Sequence, residues 1–176
     1  MKKTVRLILY VYMAFIITSC RQEKILFYPE KLPVDYKFSF ENDFEEYFIA
    51  VDTKTRLNVL LFRADSSKGL IFYLHGNAGS LKSWGELANV YLKYNYDFCV
   101  MDYRGFGKSE GDIENEEQLH NDVGIVYDSI LAKYSEKDIV IIGYSIGTCP
   151  AARLASDNDP GLLILQAPYY SIPDLA

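Results

Sequence analysis

The feature that most constrains this 176-residue chain is an apolar run that passes through a tight turn into a helix. Residues 138–148 read Asp-Ile-Val-Ile-Ile-Gly-Tyr-Ser-Ile-Gly-Thr, and an Ala-rich helical segment follows them. Gly143 and Gly147 let strand and helix approach closely, which leaves the Ser145 hydroxyl exposed at the carboxyl end of the strand. A Gly-x-Ser-x-Gly pattern occurs often by chance, but the flanking strand and helix favour a nucleophilic Ser145 beside a positive helix end.

Further apolar runs predict a mostly parallel sheet flanked by helices. Leu70–Leu74, Phe98–Met101 and Gly161–Leu165 are continuous apolar runs, as expected for strands that are buried on both faces. Residues 81–92 and 119–134 place apolar side chains at helical spacing between these strands. Strands that alternate with helices in this way form βαβ units, so we predict the α/β class.

The chain also carries a predicted hairpin and the composition of one globular domain. Two strand-like runs, Glu45–Val51 and Leu57–Arg63, are joined by the turn-forming residues 52–55. Hydrophobic residues make up 49% of the sequence and charged residues 24%, values typical of a folded domain. We therefore assign residues 41–176 to a single domain.

The charge balance argues against one class of partner. The sequence holds 18 basic and 24 acidic residues, for a net charge of −6, and no basic run occurs after residue 6. A nucleic-acid-binding surface needs clustered Lys and Arg, so we expect no nucleic-acid partner.

The first 19 residues have the features of a bacterial lipoprotein signal peptide. Three basic residues precede an apolar run, 7–17, that is too short to span a bilayer. The run ends Ile-Thr-Ser-Cys, which resembles the lipobox, so cleavage would leave a lipidated Cys20 and change the net charge from −6 to −9. An uncleaved anchor and an ordinary secretory signal remain alternatives. We expect a membrane contact through the lipid anchor, a location in the bacterial cell envelope, and residues 20–40 as a tether packed on the domain edge.

A second motif follows the strand Leu70–Leu74 directly. His75, Gly76 and Asn77 begin a turn rich in small residues. We expect backbone N–H groups of Asn77 and Ile146 to form an oxyanion hole, in which each donor is typically worth about 100- to 1000-fold in rate. A plain tight turn is the alternative. We expect His75 and Gly76 to have structural roles.

The motif after Phe98–Met101 does not bind a dinucleotide in our interpretation. The sequence Asp-Tyr-Arg-Gly-Phe-Gly begins at Asp102, but Glu110 stands where the fingerprint requires a third glycine. We expect Asp102 to hold the loop beside the site. We expect His120 to be partly exposed or structural, and we predict no metal site because neither histidine has a second plausible ligand near it.

The motifs beginning at His75, Asp102 and Gly143, in this order and spacing, carry a family resemblance. The chain resembles the amino-terminal part of an α/β-hydrolase fold protein, most closely the serine aminopeptidase-like and Bem46-like serine hydrolases. The resemblance implies hydrolysis of an ester, thioester or amide bond in a small-molecule, acyl or peptide substrate. It assigns the nucleophile to Ser145 and the oxyanion hole to the N–H groups of Asn77 and Ile146, with no cofactor.

The sequence departs from this family downstream of the serine. The catalytic residues of the family follow the order Ser, acid, His, but no histidine follows Ser145 in the 176 residues. We also place six strands where the family has eight, so we expect the fold to be truncated after about the sixth strand. As it stands, such a chain would lack the acid and the base and would be inactive. A catalytically inactive binding protein and a non-functional gene fragment are the alternatives.

Overall fold

The structure is a computed structural model, and it describes residues 27–168. Its main sheet has six strands in the order β1-β2-β4-β3-β5-β6. The strands are β1 (Phe44–Ala50), β2 (Arg56–Phe62), β3 (Leu70–Leu74), β4 (Asp97–Met101), β5 (Ile139–Tyr144) and β6 (Leu162–Gln166). Strand β2 pairs antiparallel with β1 and β4, whereas the β4–β3, β3–β5 and β5–β6 pairs are parallel. The predicted α/β class and mostly parallel sheet are confirmed.

The β1–β2 hairpin forms because an aspartate side chain closes its turn. Oδ1 of Asp52 accepts the backbone N–H groups of Lys54 (2.7 Å) and Thr55 (2.9 Å). Such side-chain-to-backbone bonds stabilise turns. The hairpin predicted from the sequence is therefore present, with strand bounds one residue earlier than predicted.

The helical segment after β3 is broken into short pieces. Helices α1 (Leu81–Trp84) and α2 (Ala88–Tyr91) are joined by the 3₁₀ turn Gly85–Leu87, and a second 3₁₀ turn follows at Leu92–Tyr94. The apolar spacing predicted one helix over 81–92. Gly85 lies against the Phe40 ring, where a Cβ atom would collide with it. A glycine at this contact lowers the helical propensity of the segment, which accounts for its irregular winding.

Two longer helices complete the α/β units. Helix α3 (Glu116–Leu131) is capped by Asn115, whose side chain accepts the N–H of Gln118 at 2.8 Å. Glu116 and Glu117 lie in its first turn, where they complement the helix dipole. Helix α4 (Thr148–Asp157) follows β5.

Two apolar layers cover the sheet. Helices α3 and α4 pack against one face, with Phe72 of β3 and Tyr127 of α3 in that layer. The other face packs against α1, α2 and Phe38. All five residues of β3 and of β4 are buried, which agrees with the continuous apolar runs.

The amino-terminal segment is only partly within the described residues. A short parallel pairing joins Tyr28–Pro29 to Ala78–Gly79 in the turn after β3. The predicted signal peptide (residues 1–19) and the lipidation site Cys20 lie outside residues 27–168. The boundaries of the tether (20–40) and of the domain (41–176) remain predictions. Between residues 27 and 168, no helix combines the length and the apolar character needed to cross a membrane.

Candidate functional site

Three strands of the sheet end side by side, and each carries one of the motifs predicted from the sequence. Strand β3 lies between β4 and β5, with Leu74 opposite Gly143. His75 directly follows β3, Asp102 follows β4 and Ser145 follows β5. In parallel sheets the carboxyl edge is where ligands bind. The structure therefore brings the three motifs to the edge where a site is expected.

Ser145 stands in a strained turn between β5 and α4. Its φ is +52°, a left-handed conformation that costs a non-glycine residue about 1–2 kcal/mol. The 3₁₀ turn Ser145–Gly147 then leads into α4, and the Thr148 hydroxyl donates to the Ser145 carbonyl at 2.6 Å. Ser145 is partly exposed. The turn therefore holds a partly exposed serine in a conformation that the surrounding structure must enforce.

The two glycines of the turn are required by close packing. A Cβ atom on Gly143 would lie 2.6 Å from the carbonyl oxygen of Gly147 and 2.7 Å from Cβ of Ala151. A Cβ atom on Gly147 would lie 2.6 Å from the carbonyl oxygen of His75 and would collide with that of Leu74. The Gly-x-Ser-x-Gly spacing thus reflects contact of the serine turn with both α4 and the end of β3.

The turn after β3 touches the serine turn. A Cβ atom on Gly76 would be 3.1 Å from the Tyr144 ring, and the Trp84 ring centre lies 5.7 Å from that of Tyr144. Trp84 Nε1 also donates to the Ala78 carbonyl at 2.9 Å, which fixes the turn around Asn77. The two turns that contain the predicted oxyanion donors, Asn77 and Ile146, are therefore packed against each other. Asn77 is partly exposed and Ile146 is buried.

His75 is enclosed beneath these turns. Its Nδ1 lies 2.7 Å from the Gly76 carbonyl oxygen, and its Nε2 lies 3.6 Å from Oδ1 of Asp102, longer than a hydrogen bond. The ring packs between Trp84 and Tyr103, with centroid distances of 5.6 and 4.2 Å. The His75 side chain is 0% exposed, so it cannot exchange protons with a substrate at the surface.

Asp102 fixes the start of α1. Its carboxylate oxygens accept the backbone N–H of Leu81 at 3.0 and 3.2 Å, and the Ser109 hydroxyl donates to its carbonyl at 2.7 Å. Burial raises the pKa of the Asp102 carboxyl, while the nearby His75 acts in the opposite direction. Asp102 thus ties the loop after β4 to the helix that follows the β3 turn.

The structure also assembles a cluster that sequence reasoning missed. Nε2 of His120 lies 3.2 Å from Oε1 of Glu116 and 3.9 Å from Sγ of Cys149. The expectation that neither histidine has a second plausible ligand nearby is therefore wrong for His120. The spacing of Glu116 and His120 on one helix signalled half of this cluster. Cys149 lies on another helix, and only the packing of α4 on α3 brings it in.

Three features define the α/β-hydrolase fold: the sheet order, the helices on both faces, and the serine turn with its two closely packed glycines. Among solved structures, an esterase from Pyrococcus furiosus has a TM-score of 0.65 at 19% identity, over 84% of this chain and 58% of the other. An α/β hydrolase from Vibrio vulnificus has a TM-score of 0.62 at 24% identity, over 71% of this chain and 45% of the other. These similarities establish the fold.

The family model described as "Serine aminopeptidase, S33" matches residues 65–176, and the chain belongs to that family of hydrolases. Alpha/beta hydrolase domain-containing protein 17C of Homo sapiens is 31% identical over 134 residues, 72% of this chain and 40% of that protein. Lysophosphatidylserine lipase ABHD12 of Mus musculus is 34% identical over 118 residues, 63% of this chain and 29% of that protein. The chain thus spans less than half the length of these curated relatives.

Proposed function

We propose that this chain provides the nucleophile and the oxyanion hole of a serine hydrolase. Ser145 attacks the carbonyl carbon of an ester, thioester or amide, and the backbone N–H groups of Asn77 and Ile146 stabilise the oxyanion. The observation that carries the proposal is the strained φ of +52° at Ser145, in a 3₁₀ turn that leads into α4 and packs against the end of β3 through Gly147. Strain of this kind in a partly exposed polar residue is typical of functional sites.

The similarity to a lysophosphatidylserine lipase supports an acyl ester as one substrate class of the proposed reaction. The exposed Tyr144 ring and the neighbouring Trp84 provide apolar surface beside Ser145 on which an acyl chain can pack. Other small-molecule and peptide substrates of the hydrolase family fit the same nucleophile. No cofactor takes part in the reaction as proposed.

The reaction also needs a base and an acid, which the described site does not supply. His75 is sealed beside Asp102, and His120 contacts Glu116 and Cys149. No histidine follows Ser145 in the sequence. Without its base, a serine site retains about 10³- to 10⁴-fold catalysis over water. The 176 residues alone are therefore proposed to react slowly, and full activity would require a base and an acid supplied by further residues.

Labelling with a fluorophosphonate tests the nucleophile. We expect slow labelling of the wild-type chain that is lost in Ser145→Ala and kept in Ser156→Ala, an exposed serine on α4. Equal labelling of both variants would overturn the assignment of Ser145. Absence of labelling in all three proteins would instead favour a catalytically inactive binding protein or a non-functional fragment.

The coding DNA that follows the codon for Ala176 gives an independent test. A frame that encodes an acid on a seventh strand and a histidine after an eighth strand would support full hydrolase activity. A stop codon directly after Ala176 would contradict full hydrolase activity for this product.

We further propose that the protein is lipid-anchored in the bacterial cell envelope through Cys20. The basic first residues, the short apolar run and the sequence Ile-Thr-Ser-Cys support this location. Radiolabelled palmitate should enter the wild-type protein and Cys149→Ser, but not Cys20→Ala. Label that persists in Cys20→Ala would rule out lipidation at this position.

A further inference from the structure

A carboxylate, an imidazole and a thiol meet between α3 and α4. Oε1 of Glu116 lies 3.2 Å from Nε2 of His120 and 3.2 Å from Sγ of Cys149, and the nitrogen and sulfur are 3.9 Å apart. Each residue thus directs one metal-ligating atom toward a common point. The three types of donor atom are those that bind zinc in proteins.

The triangle formed by the three donor atoms matches a zinc site in size. With Zn–S about 2.3 Å and Zn–N and Zn–O about 2.0–2.1 Å, two ligands of a tetrahedral zinc are about 3.4–3.6 Å apart. The observed edges of 3.2, 3.2 and 3.9 Å bracket these values. A circle through the three atoms has a radius of about 2.0 Å, so an ion near its centre would reach all three at ordinary bond lengths.

We propose that Glu116, His120 and Cys149 form a site for Zn²⁺, with water as the fourth ligand. The Cys149 thiol loses its proton when the ion binds, and His120 binds through Nε2 as the neutral imidazole. Three protein ligands and one water are the arrangement of zinc sites that keep an open coordination position, in contrast to closed structural sites with four protein ligands.

The surroundings of the cluster let an ion enter and leave. The three side chains lie along a groove of about 1000 Å³ between α3 and α4. The side chain of Glu116 is 71% exposed, whereas that of His120 is 17% exposed. His120 is therefore held by packing, while Glu116 can move aside to admit the ion.

The ion would cross-link two helices next to the serine turn. Glu116 and His120 lie in the first two turns of α3, and Cys149 is the second residue of α4. Cys149 is four residues after Ser145, so the ion would fix the beginning of the helix that the serine turn leads into. Bound zinc is thus proposed to stabilise the α3–α4 pair and, through it, the position of the serine turn.

The test is a titration of the metal-free, full 176-residue chain with Co²⁺, followed by competition with Zn²⁺. All proteins carry Cys20→Ser, so that this thiol cannot bind the metal. We expect a thiolate-to-cobalt charge-transfer absorption that saturates at one ion per chain and disappears as Zn²⁺ replaces Co²⁺. The melting temperature should rise with Zn²⁺.

Variants assign the signal to the cluster. Cys149→Ser should abolish the charge-transfer absorption, and His120→Ala should weaken binding by at least about 100-fold. Glu117→Gln, which removes a neighbouring carboxylate from the same groove, should leave binding unchanged. If a variant loses its circular dichroism, Glu116→Gln takes its place, because the exposed Glu116 side chain contributes little to folding, and loss of this carboxylate ligand should weaken Co²⁺ binding.

Two results would overturn the proposal. The first is a wild-type chain that shows no charge-transfer absorption while its circular dichroism is that of a folded protein. The second is absorption that persists in Cys149→Ser, which would place the metal on other residues.

Discussion

The two histidines of the sequence each lie beside a carboxylate, yet their surroundings are opposite. His75 is 0% exposed, packed among aromatic rings and close to the buried Asp102. His120 borders an open groove and faces the mostly exposed Glu116. Burial decides what each pair can do, because a sealed pair can only hold structure whereas an accessible one can exchange a ligand.

The serine turn connects the two histidine clusters. Gly147 packs against the His75 carbonyl, and Cys149 contacts His120. The strained Ser145 lies just before both contacts. The closed cluster of His75 and Asp102 on one side and the open cluster of Glu116, His120 and Cys149 on the other thus constrain the same segment, residues 145–149.

The largest effect is expected for Gly107→Ala on the closed side. Gly107 has a φ of +48°, and a Cβ atom there would collide with Oδ2 of Asp102. We expect the free energy of unfolding to fall by about 4 kcal/mol, from the left-handed conformation and the displaced carboxylate together. Urea denaturation measures the change.

Gly105→Ala is the matched control for that substitution. Gly105 also has a positive φ, +77°, but a Cβ atom there would meet its nearest neighbour, the Gly111 carbonyl oxygen, at 3.2 Å. Its loss should be limited to the conformational cost of about 1–2 kcal/mol. Equal losses of unfolding free energy in the two variants would show that the collision with Asp102 adds nothing to the destabilisation.

Asp102→Ala should have the next largest effect. It leaves the buried N–H of Leu81 without its acceptor and opens a small cavity, so we expect a loss of about 3 kcal/mol. Urea denaturation again measures the change, and a loss below about 1 kcal/mol would mean that the start of α1 does not depend on this carboxylate.

The pH dependence of stability should also come from Asp102. Burial raises its pKa in the folded state, so its contribution is fully present below the unfolded pKa and is lost as the pH rises through the folded pKa. The stability of the wild-type chain relative to Asp102→Asn should therefore fall as the pH increases above about 4. Denaturation curves over a pH series measure this difference, and an increase with pH would contradict the assignment.

Local patterns were sufficient to predict the sheet and the turn between β5 and α4. Continuous apolar runs identified β3 and β4, and glycine spacing identified the serine turn, because these features depend on neighbouring residues. The break in the helix at Gly85 and the contact of Cys149 with α3 depend on tertiary packing over long sequence separations. Single-sequence reasoning has no access to such packing, which is why the open cluster was missed.

A smaller effect on stability is expected at Ser145, in the turn between the closed and the open cluster. Ser145→Gly removes the cost of a left-handed non-glycine residue, about 1–2 kcal/mol, but adds about 0.5–1 kcal/mol of backbone entropy to the unfolded chain. The glycine variant should therefore be more stable than Ser145→Ala by about 0.5–1 kcal/mol. Thermal denaturation of both variants tests this, and a less stable glycine variant would show that the turn stores no conformational strain.

The smallest effect is expected for Glu116→Gln in the metal-free chain, on the open side. A hydrogen bond from His120 lowers the pKa of Glu116, so its contribution is present above the unfolded pKa and is lost as the pH falls. The carboxylate is 71% exposed, and solvent screening limits the loss to less than about 0.5 kcal/mol. Glu117→Gln is the control, because it removes a charge from the same first turn. If Glu116→Gln cost 2 kcal/mol more than this control, the open cluster would be as structural as the buried pair.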